Sequence, residues 1–159
     1  MSKKFNLFFV ESPLQLISAT KARDHLNILN TEIYININIE DAQSHKQIIN
    51  ELDEKWGGVH LIYKKKGYLE HLKFFLILLK LMFKYSYRVE RYFYGEYRST
   101  DYAIYESIIS PNESILLDDG AVTIAVQMSY IKNKKSIIKI KGFRNNIFKK
   151  IVSKQRAPN

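Results

Sequence analysis

The chain has 159 residues, 46% hydrophobic and 26% charged, and it contains no cysteine. That is enough apolar material for one domain burying roughly two thirds of its unfolded surface, and it excludes disorder, disulfide frameworks, thiolate metal sites and cysteine nucleophiles. The net charge of +9 is local, because residues 1–120 carry 15 Lys+Arg against 16 Asp+Glu, whereas residues 121–159 carry 10 Lys+Arg and no acid.

The opening residues Met1, Ser2, Lys3 and Lys4 lead into an apolar run far too short for a secretory leader, so a cytoplasmic protein is expected. Phe5–Val10 (FNLFFV) suits a strand buried on both faces. Leu14, Leu16, Ile17, Ala19 and Ala22 then recur at helical spacing, entered through Ser12 at the N-cap, Pro13 at the first helical position and Gln15 at the third. Thr31–Asn38 alternates as a second strand, Asp41–Lys55 reads as a helix with Ile48, Ile49 and Leu52 inward, and Gly57 and Gly58 break it before the strand Val59–Lys64. From Tyr68 to Tyr85 the polar positions Glu70, Lys73, Lys80 and Lys84 fall on one narrow stripe, which predicts a helix wrapped by protein nearly all round. Its lysines cut the apolar run below the length of a membrane span, which leaves a core helix or, as the alternative, a helix lying at a membrane interface.

Val89–Tyr94 reads as a fourth strand, Thr100–Ile109 as a helix and Ser114–Leu117 as a fifth strand, closed by Asp118, Asp119 and Gly120. Strands alternating with helices imply an α/β domain: a Rossmann-like open parallel sheet of about five or six strands with helices on both faces. Residues 1–131 are expected to form this domain. Residues 132–159 form a basic segment that could bind an anionic membrane surface or, less directly, nucleic acid.

Ligands of open parallel sheets bind at the carboxyl ends of the strands. Every unusual local sequence falls on that edge: Glu11–Ser12, Asn38–Asp41, Lys64–Lys66, Tyr94–Ser99 and Asp118–Gly120. Asp118 and Asp119 could perform acid–base work, with Gly120 permitting close approach of a substrate, or could simply cap a helix. Ser12, Pro13 and Gln15 could be capping residues alone or could present polar groups to a polyhydroxylated ligand. Tyr94, Gly95 and Arg98 combine rings, a turn glycine and a guanidinium, a set suited either to a sugar or to a solvated loop. The histidines His25, His45, His60 and His71 show no ligand spacing, so no metal centre is expected. Dinucleotide, P-loop, hydrolase-elbow and zincin motifs are absent from the sequence.

The run FFVESPLQLISATKA, followed by YGEYRS and then ILLDDG, resembles the N-terminal half of bacterial sialyltransferase-like glycosyltransferases of the two-domain GT-B type. That group includes glycosyltransferase family 52 and the polysialyltransferases of capsule and lipooligosaccharide synthesis. The resemblance covers residues 5 to 130 in motif order. It implies an acceptor-binding domain forming one half of a GT-B architecture, with Asp118 or Asp119 as general base on an acceptor hydroxyl and Ser12, Gln15, Tyr94, Gly95 and Arg98 lining the acceptor groove. It implies no cofactor or metal, and a CMP-activated sialic acid or similar nucleotide sugar as donor, bound through a further domain bearing a His-Pro motif. None of the four histidines precedes a proline. The expectation is therefore an acceptor half, peripheral at the inner membrane face, that is incomplete as a 159-residue chain. The alternative is a non-catalytic module that binds glycan, membrane or RNA.

Overall fold

The computed structural model describes residues 4–64 and 69–117, with the backbone alone described for residues 69–71. Nine elements alternate: β1 (Phe5–Val10), α1 (Pro13–His25), β2 (Thr31–Asn38), α2 (Ala42–Glu51), β3 (Gly58–Lys64), α3 (Leu69–Tyr85), β4 (Val89–Tyr94), α4 (Thr100–Ile109) and β5 (Glu113–Leu116). The strands form one parallel sheet in the order β3-β2-β1-β4-β5. This is the Rossmann-like α/β fold the alternation predicts. The chain winds outward from β1 to one edge, then crosses back to place β4 on the other side of β1, so a crevice arises between the carboxyl ends of β1 and β4.

Each face of the sheet has its own core. Phe8, Val10, Ile33, Ile35, Ile37 and Phe93 meet Leu16 and Ala19 of α1 and Ile48 of α2. On the other face Leu7, Phe9, Tyr34, Tyr92 and Tyr94 meet Phe74, Leu78 and Tyr85 of α3 and Tyr102 and Tyr105 of α4. Alternate residues of one strand therefore serve opposite layers. Phe9 is the centre of the second layer, with its ring 4.8 Å from Tyr34, 5.1 Å from Tyr92 and 5.3 Å from Tyr105.

Three details differ from the sequence reading. Helix α2 stops at Glu51 rather than Lys55, because Leu52 is extended and Asp53 is drawn away to Arg23, whose Nη1 and Nη2 donate to its carboxylate at 2.8 and 2.7 Å. Ile49, expected inward, is exposed; α2 rests on the sheet through Ile48. Helix α3 is not wrapped all round. Phe74, Leu78, Leu81 and Tyr85 are buried, but Leu72, Phe75, Leu76, Met82 and Phe83 are exposed, because α3 packs on the sheet beneath and α4 beside it and no other described element covers its outer side.

Candidate active site at the carboxyl edge of the sheet

The turn after β1 is built from local chemistry. Ser12 takes extended dihedrals and its hydroxyl accepts the Gln15 N–H at 3.2 Å, while Pro13 occupies the first helical position, where a missing N–H costs nothing. Gln15 does not reach back to the Ser12 N–H as a capping box would. Its Oε1 instead accepts the Glu11 N–H at 2.8 Å, which fixes the residue that leaves β1.

Gln15 is 2% exposed and lies directly against Gly95 at the end of β4. A Cβ on Gly95 would stand 2.2 Å from Gln15 Cδ and Oε1. The Gly95 N–H donates to the Phe9 carbonyl at 3.0 Å. The glycine of the YGEYR motif is thus required for space, and the amide and the glycine lock the two sides of the crevice together.

Glu11 stands at this crevice with Lys64 Nζ 3.8 Å from its Oε2; the same ammonium lies 3.7 Å from Asp101 Oδ2. Asn36, on the neighbouring strand β2, donates to the Tyr102 hydroxyl at 3.0 Å, and its side-chain amide favours the charged form of the Glu11 carboxyl. Burial pushes the Glu11 carboxyl above the usual carboxylate range, and the negative charges of Glu96 and Asp101 push the same way, outweighing Lys64 and Asn36. Glu96 is also pushed up by burial, but the Arg98 side chain and N–H, which donate to it at 2.8 to 3.0 Å, bring its net position below the usual range. Burial thus holds Glu11 above the usual carboxylate range while Arg98 holds its neighbour Glu96 below it, a divergence found at acid–base sites and in structural ion-pair networks alike.

A groove of about 940 Å³ opens beside this cluster. It runs between edge strand β3 and helix α3, over Tyr34 and His60, under Phe74 and Ile77, and ends at Lys64 and Asp101. Its described lining includes Asn38, Glu40 and Lys64 from the carboxyl-edge segments, but none of the candidate binding residues Ser12, Pro13, Gln15, Tyr94, Gly95 and Arg98. Of those, Ser12 and Gln15 are engaged in the β1–α1 turn, and Tyr94 is buried, stacked on Tyr92 at 5.6 Å. Gly95 accommodates Gln15, and Arg98 forms a two-pronged pair with Glu96. Pro13, Gly95 and Arg98 are nonetheless all on the crevice edge. Asp118, Asp119 and Gly120 lie outside the described residues, as does the segment 132–159; Leu117 donates its N–H to the Tyr94 carbonyl at 2.9 Å, so the described chain ends at the same edge.

The sequence reading missed Glu11, Lys64 and Asp101 as a group. Glu11 carried one signal, its position directly after the first strand; its partners come from β3 and α4 and share no local pattern with it. Among the described residues no three His, Cys, Asp or Glu side chains are placed to hold a metal ion.

No protein-family model and no curated protein matches this chain.

Proposed function

We propose that this domain is the acceptor-binding half of a sialyltransferase-like, GT-B-type glycosyltransferase, which presents a sugar hydroxyl at the β1–β4 crevice to a CMP-activated donor carried by a second domain. The observation that supports this reading best is the Glu11 cluster. A carboxyl with a raised pKa sits at the topological switch point, next to a cation and at the mouth of a groove large enough for an oligosaccharide end. In this mechanism an aspartate of the DDG motif, Asp118 or Asp119, takes the proton from the acceptor hydroxyl as that oxygen attacks the anomeric carbon with inversion. The phosphate departs with the bonding electron pair. Lys64 and Asp101 position the acceptor by hydrogen bonds to its hydroxyls, and Glu11 accepts a further hydroxyl or relays the proton.

The test is transfer from CMP-sialic acid to lactose-type acceptors, using this chain alone and extended through the downstream coding sequence. The substitutions are Asp118→Asn, Asp119→Asn and Glu11→Gln. The expected result is activity in the extended protein, loss of at least about a hundredfold in kcat for one aspartate variant with the fold retained, and a smaller loss for Glu11→Gln. Equal rates in all three variants would overturn the catalytic assignment and favour a glycan-binding module without catalysis.

A further inference from the structure

The end of the groove away from Lys64 is held by His60 and Lys80. His60 and Lys64 stand four residues apart on β3, so about 13 Å separates this end from the contact of Lys64 with Asp101. The imidazole is fixed on three sides. Its Nε2 bonds to Glu32 Oε2 at 2.7 Å, its ring stacks on Tyr34 with centroids 4.3 Å apart, and its Nδ1 faces Lys80 Nζ at 3.3 Å. Lys84 and Tyr85 also donate to Glu32 and hold it ionised. The carboxylate therefore takes the ring proton on Nε2 and leaves the Nδ1 lone pair turned to Lys80.

The charged groups facing His60 are Glu32 from β2 and Lys80 and Lys84 from α3, with the phenols of Tyr34 and Tyr85 beside them. Glu32 neutralises Lys84, whose Nζ lies 2.8 Å from both carboxylate oxygens. Lys80 pairs with no carboxylate among the described residues; it rests on the neutral imidazole and on the Tyr34 ring, 5.8 Å from Nζ. Burial and the two ammonium groups keep the ring neutral despite Glu32, so one positive charge is in excess. An anion between Nδ1 and Nζ reverses that balance. Lys80 turns from the ring to the ligand, and a proton taken from solvent makes Nδ1–H a second donor. Two positive charges are then in excess, which a phosphoryl dianion neutralises and a carboxylate does not. The neighbouring groove wall is apolar, with Ile62, Phe74, Ile77 and Tyr105, and gives the organic part of a ligand a surface to lie on.

We propose that His60 and Lys80 form a binding site for the phosphoryl group of a phosphate monoester, taken up together with one proton, with the organic part of the ligand along Ile62, Phe74 and Tyr105. The site does not rest on the sugar-transfer reading, which uses Glu11, Lys64 and Asp101 at the other end of the groove. Glu32 and Tyr34 act through His60 as positioning residues, the first by fixing its tautomer and the second by fixing the plane of its ring.

The experiment uses the whole 159-residue chain, with its four imidazoles followed by NMR and the His60 signal identified by its loss in His60→Gln. At constant ionic strength, phenyl phosphate should raise the pH at which His60 titrates by at least about half a pH unit and leave His25, His45 and His71 unmoved. Sulfate stays doubly charged throughout and so isolates the proton taken up by the protein. Its affinity should rise at least about tenfold from about pH 7.5 to about pH 5.5, and His60→Gln should abolish the rise. Lys80→Met, which keeps the stem and loses the charge, should weaken phenyl phosphate at least about tenfold at unchanged far-ultraviolet circular dichroism. Phenyl phosphate should bind more tightly than inorganic phosphate and than benzoate, which separates a monoester from the free ion and from a carboxylate. The site is overturned by a His60 titration that phenyl phosphate leaves in place or moves equally at all four histidines, by sulfate affinity independent of pH, or by unaltered binding in Lys80→Met. Equal affinity for inorganic phosphate, or tighter binding of benzoate, overturns the ligand class.

Discussion

Substituting Gly95 by alanine adds one methyl group where the structure has no room for it. The new Cβ would lie 2.2 Å from Cδ and Oε1 of Gln15 and 2.7 Å from its Cγ, and Gln15 is itself enclosed. The amide must move, and moving it strips the Glu11 N–H of its acceptor. An orphaned, part-buried N–H costs about 1–3 kcal/mol and the forced repacking about 1–3 more, so Gly95→Ala should destabilise by about 2–5 kcal/mol. In a domain of this size that lowers the melting temperature by roughly 5–15 °C. The same arithmetic gives a sharper outcome in the Gln15→Ala background. Gly95 does not occupy the left-handed region, so with the blocking amide gone, alanine there restricts only the unfolded chain and should be neutral or stabilising by up to about 1 kcal/mol. Urea unfolding of the four proteins closes a double-mutant cycle with an expected coupling of at least about 2 kcal/mol. A Gly95→Ala protein within about 0.5 kcal/mol of wild type, or an equal cost in both backgrounds, would refute the interlock.

Two further predictions concern charge. Glu32, 8% exposed on β2, accepts from Lys84 Nζ at 2.8 Å, from the Tyr85 hydroxyl and from His60 Nε2 at 2.7 Å, while His60 Nδ1 faces Lys80 Nζ at 3.3 Å. Burial, aided by Lys80 and Lys84, holds His60 below its usual value of 6.5 despite Glu32; burial pushes Glu32 up, but its three donors and the Lys84 charge bring it below 4.5. Both groups take up protons more readily in the unfolded chain. Stability should therefore fall with pH, first below about 6.5 and again below about 4.5, and Glu32→Gln should cost about 2–4 kcal/mol and flatten the lower window. Urea midpoints unchanged between pH 7 and pH 4 would contradict this. Arg23 is buried, pairs with Asp53 through two nitrogens and lies 4.5 Å from the centre of the Trp56 ring. Arg23→Lys keeps the charge but loses the fork and the stacking, so it should cost about 1–2 kcal/mol and shift Trp56 emission; an unchanged melting point and spectrum would show the planar group to be dispensable.

The elements were legible in the sequence wherever a local signal marked a joint. Ser12 and Pro13 open α1, the glycine pair 57–58 marks the entry to β3, whose first residue is Gly58, and the alternation in Thr31–Asn38 matches a strand with Asn36 and Tyr34 on one face and three isoleucines on the other. Long-range groupings were not legible. Glu32, His60 and Lys84 come from three elements, and Glu11, Lys64 and Asp101 from the β1–α1 turn, β3 and α4, and only the strand order makes neighbours of them. Gln15 matched a capping pattern in which it would bond to Ser12, and its real partners, Glu11 and Gly95, depend on the crossover to β4. The sparse polar stripe of α3 suggested burial all round, because composition reports how apolar a helix is and not which of its sides the neighbouring elements reach.

The crossover that seats β4 beside β1 also sets an order of events in synthesis. β1 can pair with β2 as soon as residue 38 is made, but its other edge has no partner until Val89–Tyr94 exists. For a few seconds at about 5–20 residues per second, the strand FNLFFV shows a bare row of N–H and C=O groups, without charge or proline, on a nascent chain. Such a segment is a template for pairing with a second chain. The domain's central strand is thus its main aggregation hazard before residue 89 is made, and one of its most protected segments once residue 94 is in place.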